Sequence, residues 1–220
     1  MNDVASQHMG STGLAPTAAQ KTVQKCDMHL LGEIVRLQVQ IVSLKPGERG
    51  HRWYDPAGLR VLPALDLEPD GVQGTGDHHS MVDVHNARHP QSKFRSENAV
   101  SIGFTAHYSQ MRSRFGDNLP DGIAGENILV SCDRPVSEAE LRNGLVIETQ
   151  RGMEVRLKAI EVAEPCVEFT RFALCYPQDA PADGQVTEAL QFLRYGMRGF
   201  YASYAGSLAT IRLGDPVFLP

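Results

Sequence analysis

The sequence lacks the cysteine pairs, the long apolar runs and the signal segment that mark several large classes of protein. Its four cysteines, Cys26, Cys132, Cys166 and Cys175, form no C-x-x-C pair, which excludes a zinc ribbon and a thioredoxin motif. No run approaches the roughly 18 apolar residues of a membrane-spanning helix. The N-terminus has no apolar segment of a Sec-type signal peptide. These absences predict a soluble, cytoplasmic protein with reduced thiols and no membrane partner.

The sequence also lacks a strong positive charge and the common nucleotide and hydrolase motifs. With 21 basic and 26 acidic residues the net charge is −5, which argues against nucleic acid or an anionic membrane as a partner. No Walker A sequence and no G-x-S-x-G elbow are present. The 16 arginines far outnumber the 5 lysines. Arginine suits phosphate binding, although the coding bias of a GC-rich genome is the simpler explanation of the excess.

Composition divides the chain into a tail and one domain. Residues 1–28 are rich in Ser, Thr, Gln, Gly and Ala without a sustained period, which predicts a flexible tail. Residues 29–220 carry enough apolar side chains for one core. Strands are not regularly interleaved with helices along this stretch, which argues against a doubly wound parallel sheet. We therefore predict a mainly β (α+β) domain built on a curled, mostly antiparallel sheet or barrel.

Apolar periodicity predicts seven or eight short strands and two helices. The strands are predicted at 33–42, 60–67, 99–102, 128–131, 145–148, 153–162, 199–204 and 217–219. Helical spacing predicts a helix within 97–115, overlapping the strand at 99–102, and Thr187 is predicted to cap a second helix over 187–195. The glycine-rich segment 71–79 is predicted to form no regular element.

Two positions stand out as candidates for chemistry. Cys166 directly follows Pro165 at the end of a long predicted strand, where a sheet holds the backbone and a side chain can reach a loop-lined pocket. Its thiolate could act as a nucleophile or a soft metal ligand, whereas a buried space-filling cysteine is the alternative. The second candidate is Gly125-Glu126-Asn127, in which the glycine permits close approach of a ligand and Asn127 offers a donor and an acceptor. An ordinary turn before a strand explains the same residues.

A third candidate is a histidine-rich segment. Asp77, His79, Asp83 and His85 could together form a metal site of hydrolase type, although no H-E-x-x-H pattern is present. A polar surface loop with solvated histidines is the favoured interpretation for His78, His85 and His89.

These pieces, taken in order, resemble the MOSC family, which is named for the C-terminal domain of molybdenum cofactor sulfurase. The matching motifs are Gly76-Asp77-His78-His79, Gly125-Glu126-Asn127, Glu164-Pro165-Cys166, Arg198-Gly199-Phe200-Tyr201 and Gly214-Asp215. They span residues 32–220. No one of them is specific, and the resemblance depends on their fixed order with a single Pro-Cys.

The resemblance implies a closed, mixed β-barrel with a few peripheral helices. It implies that Cys166 is the cysteine that carries sulfur as a persulfide or binds the molybdenum of the pterin cofactor, molybdopterin. The cofactor-binding residues it implies are Gly125, Glu126, Asn127, Asp77, His79 and Arg198. Some relatives carry an arginine at the position of Gly125 or Glu126, and another at the position of Glu164. Arg88, Arg95 or Arg198 would then have to supply the missing positive charge.

Two functions from different classes follow. The first is a molybdenum-cofactor-binding or sulfur-carrier protein, including a reductase of N-hydroxylated compounds, that depends on a separate electron-transfer or sulfur-donor protein because the chain has no four-cysteine ferredoxin run. The alternative is a non-catalytic module on the same barrel that binds another anionic small molecule. The metal hydrolase based on His79 and His85 ranks last.

Overall fold

A computed structural model of the chain describes residues 28–75, 80–177, 180–181 and 183–220. The predicted tail, 1–28, lies outside these residues except for Met28. Asp77, His78 and His79 also lie outside them, so their predicted roles stay predictions.

Twelve strands and three α-helices form in the described residues. The strands are β1 His29–Gln40, β2 Leu59–Val61, β3 Ala64–Glu68, β4 Gly71–Thr75, β5 Ser80–Val82, β6 Val100–Phe104, β7 Ile128–Val130, β8 Leu145–Glu148, β9 Glu154–Val162, β10 Phe200–Ser203, β11 Ala209–Arg212 and β12 Pro216–Leu219. The helices are α1 Thr105–Phe115, α2 Val167–Ala173 and α3 Gly184–Phe192, and short 3₁₀ turns lie at Pro56–Gly58, Ser96–Asn98 and Glu140–Asn143.

Seven of the strands close into a mixed β-barrel. Their order around the barrel is β12, β8, β9, β10, β6, β7 and β1, and β1 pairs again with β12 to complete the ring. The β6–β7 pair is parallel and the other barrel pairs are antiparallel. Register shifts along the 12 residues of β1 let its first half pair with β12 and its second half with β7 and β2. The predicted mainly β barrel with peripheral helices is confirmed.

The barrel core follows from the alternation of side chains along the strands. In β9, Val155 and Leu157 are buried, whereas Glu154 and Arg156 between and beside them are exposed. β8 and β9 form the predicted hairpin, pairing Leu145 with Leu157. This period of two turns one face of each strand toward the barrel interior, where apolar burial drives folding.

A smaller sheet corrects the prediction of an irregular segment for residues 71–75. Its strand order is β11, β3, β4 and β5, and β4 covers Gly71–Thr75, where the glycine content predicts an irregular segment. A Cβ on Gly74 would lie 1.8 Å from the Leu62 side chain. At position 74, glycine is therefore present because it lets the strand pack closely against Leu62, and not because the chain turns. The sheet also contains β11 and β5, which were not predicted.

The helix boundaries differ from the prediction at three points. The pattern assigned to one helix over 97–115 is divided, because 96–98 form a 3₁₀ turn, β6 runs through Phe104 and α1 begins at Thr105. α3 begins before Thr187, since the Asp183 carboxylate accepts the Val186 N–H at 3.1 Å and acts as the N-cap. α2, directly after Cys166, was not predicted because seven residues are too few for a clear helical period.

A second apolar cluster lies outside the barrel and positions the candidate site. It joins α1, α2 and the segment before β7, with Tyr108, Leu129 and Phe169 among its buried members. Within the described residues, no helix is long and apolar enough to cross a bilayer.

Candidate functional site

Side chains of β1 hold the loop that precedes Asn127. Gln38 Nε2 donates to the Gly122 carbonyl at 2.6 Å, and Gln40 Nε2 donates to the Gly125 carbonyl at 2.8 Å. Both glycines have positive φ, +81° at Gly122 and +94° at Gly125, which a residue with a Cβ adopts at a cost. The glycine spacing of the motif thus lets two carbonyls, three residues apart, accept hydrogen bonds from β1.

Asn127 is buried and its side-chain amide is fully engaged within the chain. Nδ2 donates to the Gln38 carbonyl at 3.2 Å and to Asp83 Oδ2 at 2.9 Å. Oδ1 accepts the Ser101 N–H at 3.0 Å and the Ser101 hydroxyl at 2.9 Å. These four hydrogen bonds use the two donors and two acceptor positions of an amide. They lock the end of the loop to β1 and β6.

Asp83 is the other half of this polar network. It is 1% exposed, and its Oδ2 accepts the Gln40 N–H at 2.7 Å as well as the Asn127 amide. Oδ1 accepts the His85 N–H at 2.8 Å and lies 3.1 Å from His85 Nδ1. A buried carboxylate with this many donors is a fixed structural element of the site.

The interpretation of His85 and His89 as solvated is wrong. His85 has only 15% of its side chain exposed and contacts Asp83. His89 Nε2 lies 3.1 Å from the Ile41 carbonyl, and its Nδ1 accepts the Gln91 N–H. In the part of the chain that the structure describes, no group of three or more potential metal ligands occurs. Asp77 and His79 lie outside that part.

Glu126 is a buried carboxyl group beside Tyr108. The Tyr108 hydroxyl lies 2.8 Å from Glu126 Oε2 and 3.0 Å from Oε1, and it accepts the Ala124 N–H at 2.9 Å. Burial raises the pKa of Glu126 above its ordinary value, although Tyr108 and the guanidinium groups of Arg198 and Arg36 oppose that rise. The protein therefore favours a neutral Glu126 more strongly than water does.

This raised pKa predicts a pH-dependent stability difference. Glu126 stabilises the folded wild type at pH values below its ordinary pKa of 4.5. This stabilisation is lost as the pH rises through the folded-state pKa of Glu126. Glu126→Gln, which mimics the neutral acid, is expected to gain stability relative to wild type as the pH is raised above the ordinary pKa of 4.5. Urea unfolding across this range measures the difference, with the exposed Glu164→Gln as background. A stability difference that stays constant over the whole range would count against a raised pKa at Glu126.

Arg198 brings a positive charge to the same cluster. Its Nη2 donates to the Ala124 carbonyl at 3.1 Å, and its guanidinium carbon lies 5.8 Å from the centre of the Phe169 ring. Its Nε is buried and has no hydrogen-bond partner among the described residues. Burial alone would lower the pKa of Arg198, but the neighbouring Tyr201, Cys166, Tyr54 and Glu126 raise it.

Cys166 lies where β9 has ended and α2 begins, as the N-cap of that helix. Its Sγ accepts the Phe169 N–H at 3.5 Å, and its carbonyl accepts the Thr170 N–H at 3.0 Å. The residue is partly buried against the apolar cluster. Arg198 and Tyr54 are near enough for their electrostatic interaction with the thiol to affect their own pKa values. The tertiary structure therefore brings together Cys166, Arg198 and Glu126, three of the predicted site residues.

The other predicted residues are distributed differently. Cys132 Sγ donates to the Arg134 carbonyl at 2.9 Å, and Cys175 is exposed. Arg88 pairs with Glu68 on the smaller sheet, and Arg95 and Glu164 are exposed. Of the three arginines considered as the source of charge, Arg198 is the one beside Cys166.

Two residues of the cluster were not predicted from the sequence. Tyr54 is buried, its hydroxyl donates to the Ile123 carbonyl at 2.5 Å, and burial raises its pKa. Arg36, on β1, donates from Nε to Gln38 Oε1 at 2.8 Å and interacts electrostatically with Glu126. Tyr54 follows a loop with no local pattern. Arg36 was visible only as a polar position in an alternating strand.

Among the residues that the structure describes, two cavities adjoin the cluster. A cleft lined by Gly125, Glu126, Arg198 and Tyr201 has a volume of about 10 Å³, roughly enough for one water molecule. A larger cavity of about 280 Å³ lies beside Tyr54 and α2.

Comparison with known proteins shows similarity in structure. No family model matches the sequence, and no curated protein matches it. The YuaD protein from Bacillus subtilis superposes with a TM-score of 0.50 and 16% identity over 87% of this chain and 94% of that chain. YiiM from Geobacillus stearothermophilus gives a TM-score of 0.46 and 14% identity, covering 88% and 75% of the two chains. At 16% identity, the likeness to YuaD shows the fold alone, and that fold is consistent with the MOSC-like barrel implied by the motif order.

Proposed function

We propose that this chain is a MOSC-type protein that binds the molybdenum cofactor or carries sulfur, with the Cys166 thiolate as the metal ligand or the persulfide carrier. The observation that carries the proposal is the placement of Cys166 beside Arg198, whose buried Nε has no partner in the described residues. An unpartnered buried donor is costly to a protein, and an anionic ligand would satisfy it. The motif order and the barrel support the same conclusion.

The residues present fit such a group. A thiolate is a soft ligand suited to a sulfur-rich metal centre, and Arg198 can donate to an anionic part of the cofactor. Glu164, which would repel a phosphate, is exposed, and Glu126 is pushed toward its neutral form. When bound, the molybdenum centre would supply two-electron redox chemistry.

The chain's own residues then have separate roles in holding the ligand. Arg198 binds the anion, and Cys166 supplies the sulfur ligand. Asn127, with its amide fully engaged, positions the Gly125-Glu126 loop and is not free to bind the ligand itself. Electrons would come from a separate protein, because the chain has no ferredoxin-type cysteine run.

In the sulfur-carrier form, sulfur would arrive from a donor protein that holds a persulfide. The Cys166 thiolate attacks the terminal sulfur of that persulfide. An S–S bond forms at Cys166 while the S–S bond of the donor breaks, and the donor leaves as a thiolate, so no external oxidant is needed.

The test is the metal and sulfur content of the protein, purified anaerobically from a host with intact cofactor synthesis. We expect molybdenum by elemental analysis, or a mass increase of one sulfur on Cys166, in the wild type. Cys166→Ser is expected to lose that signal. Cys132→Ser is expected to keep it, because it changes a partly buried cysteine that contacts Arg134 and not Arg198.

Absence of both molybdenum and persulfide from the wild-type protein would overturn the proposal. If phosphate or a pterin then raised the melting temperature equally in wild type and Cys166→Ala, the chain would instead be an anion-binding module on the same barrel. That alternative is favoured by the same unpartnered Nε of Arg198 in the described part of the chain.

A further inference from the structure

The larger cavity, of about 280 Å³, has four aromatic side chains among the residues that line it. Trp53, Tyr54, Phe172 and Tyr176 line it. The Tyr54 and Phe172 ring centres are 5.1 Å apart, with an angle of 52° between the ring planes. Aromatic faces arranged at such distances offer stacking and edge contacts to another flat ring. The cavity is therefore shaped by groups that favour a planar ligand.

Trp53 is held in position by a glycine turn. A Cβ on Gly47, whose φ is +96°, would lie 2.9 Å from the Trp53 ring, so the ring covers the bare backbone of the turn. The backbone N–H of Trp53 donates to the Pro46 carbonyl at 3.3 Å. The residue is nevertheless 38% exposed, which leaves part of the indole open to a ligand.

The charged groups of the cavity favour an anion. Arg52 and Arg171 line it together with one carboxylate, Glu168, so the charged lining residues sum to +1 (two positive, one negative). Arg171 Nη2 donates to the Ala180 carbonyl at 2.8 Å, which fixes the orientation of its guanidinium. Arg52 is exposed at the mouth. One guanidinium held by a backbone carbonyl and a second, exposed one suit a ligand with one anionic group.

The cavity adjoins the Cys166 cluster through Tyr54. The Tyr54 ring is one of its walls, and the ring also packs against Phe169, in the first turn of α2 after Cys166, with 5.1 Å between ring centres. Tyr54 interacts electrostatically with both Cys166 and Arg198. Cys166 does not itself line the cavity, so a ligand there would contact Tyr54 and not the thiol.

We propose that this cavity binds a planar aromatic molecule with one anionic group. That chemistry is shared by a free aromatic acid and by a pterin with an acidic side chain. The pterin source rests on the proposed function, whereas binding of an aromatic acid does not.

The single tryptophan makes the cavity directly observable. Trp53 is the sole tryptophan in the sequence, so the indole N–H gives one cross peak in a ¹H–¹⁵N correlation spectrum. We expect 2-naphthoate to shift this peak saturably, and calorimetry to give its dissociation constant. The neutral 2-naphthamide, of the same shape, is expected to bind about tenfold more weakly or worse because it lacks the charge.

Arg52→Gln is expected to weaken 2-naphthoate binding about tenfold. Arg49→Gln, an exposed arginine on the same loop that does not line the cavity, is expected to leave it unchanged. An indole peak that does not move with 2-naphthoate, or equal affinity for the acid and the amide, would overturn the proposal. So would an equal loss in both arginine variants.

A further titration distinguishes the two sources. Binding of pterin-6-carboxylate about tenfold tighter than 2-naphthoate, or more, assigns the cavity to a pterin, and similar affinities assign it to aromatic acids. Cys132→Ser, which changes a cysteine that does not line the cavity, is expected to bind both probes as wild type does. Probe binding without molybdenum or persulfide would thus overturn the proposed function alone, and metal or persulfide without probe binding would overturn this inference alone.

Discussion

Asp83→Ala is expected to lower the free energy of unfolding by about 3–5 kcal/mol, because it removes a buried acceptor of several hydrogen bonds. The Gln40 N–H and the Asn127 amide would each lose a partner in a site that water does not reach. Asp83→Asn keeps one carbonyl oxygen and is expected to cost roughly half as much. For a chain of this length, the alanine variant should melt about 10 °C or more below wild type.

Thermal and urea unfolding measure this effect, and a double-mutant cycle identifies its source. Asp70→Asn, at an exposed carboxylate, is the control and should be near neutral. Asn127→Ala and Asp83→Ala break the same contact, so their costs should sum to more than the cost of the double variant. Additive costs, or a stable Asp83→Ala variant, would show that the network does not hold the loop as the geometry indicates.

Gly199→Ala is expected to destabilise the protein by about 3–5 kcal/mol. Its φ of +123° is a conformation that residues with a side chain rarely adopt, and strain of this kind costs about 1–3 kcal/mol. The new Cβ would also lie 2.8 Å from the Ile102 carbonyl oxygen of β6, a backbone atom that cannot move without disturbing the barrel. Because Gly199 follows Arg198, relief of the clash should also displace the arginine from Cys166.

Gly50→Ala separates backbone strain from the clash. Gly50 has φ +95°, and a Cβ added to it would have no atom within 4 Å, so the substitution should cost only the strain, about 1–2 kcal/mol. Urea unfolding of both variants gives the comparison. Equal losses would mean that the contact with β6 contributes nothing. A loss of anion-induced stabilisation in Gly199→Ala alone would connect the glycine to the position of Arg198.

Local sequence patterns predicted the regular parts of the barrel well. The hairpin of β8 and β9 follows from alternating residues such as Val155 and Leu157, since one polar and one apolar face suffice to orient a strand. Gly116 ends α1 as expected, its N–H donating to the Arg112 carbonyl. Where one face of a strand or helix is buried and the other is exposed, the apolar periodicity of the sequence predicts the element.

Sequence patterns were misleading where both faces of a strand are buried, and where a glycine is needed for close packing and not for a turn. Every residue of β6 is buried, so the strand shows no alternation. The strand predicted at 99–102 forms, but Phe104, the last residue of β6, was counted with the apolar residues of α1 in one helical period. Gly74 suggested a turn, yet it lies within β4. Strand pairing with β3 and the nearby Leu62 decide the conformation of Gly74, and neither is adjacent to it in sequence.

The sequence by itself determined that strands dominate and that Cys166 follows the end of a strand, because these features depend on periodicity and on local breakers such as Pro165. Only the tertiary structure decided which charged groups lie beside that cysteine. Arg198 is 32 residues away along the chain (198 − 166), and Tyr54 precedes it by 112 (166 − 54). Barrel closure and the packing of α2 bring the three together, and burial there, not residue type alone, shifts the pKa values of Glu126 and Tyr54.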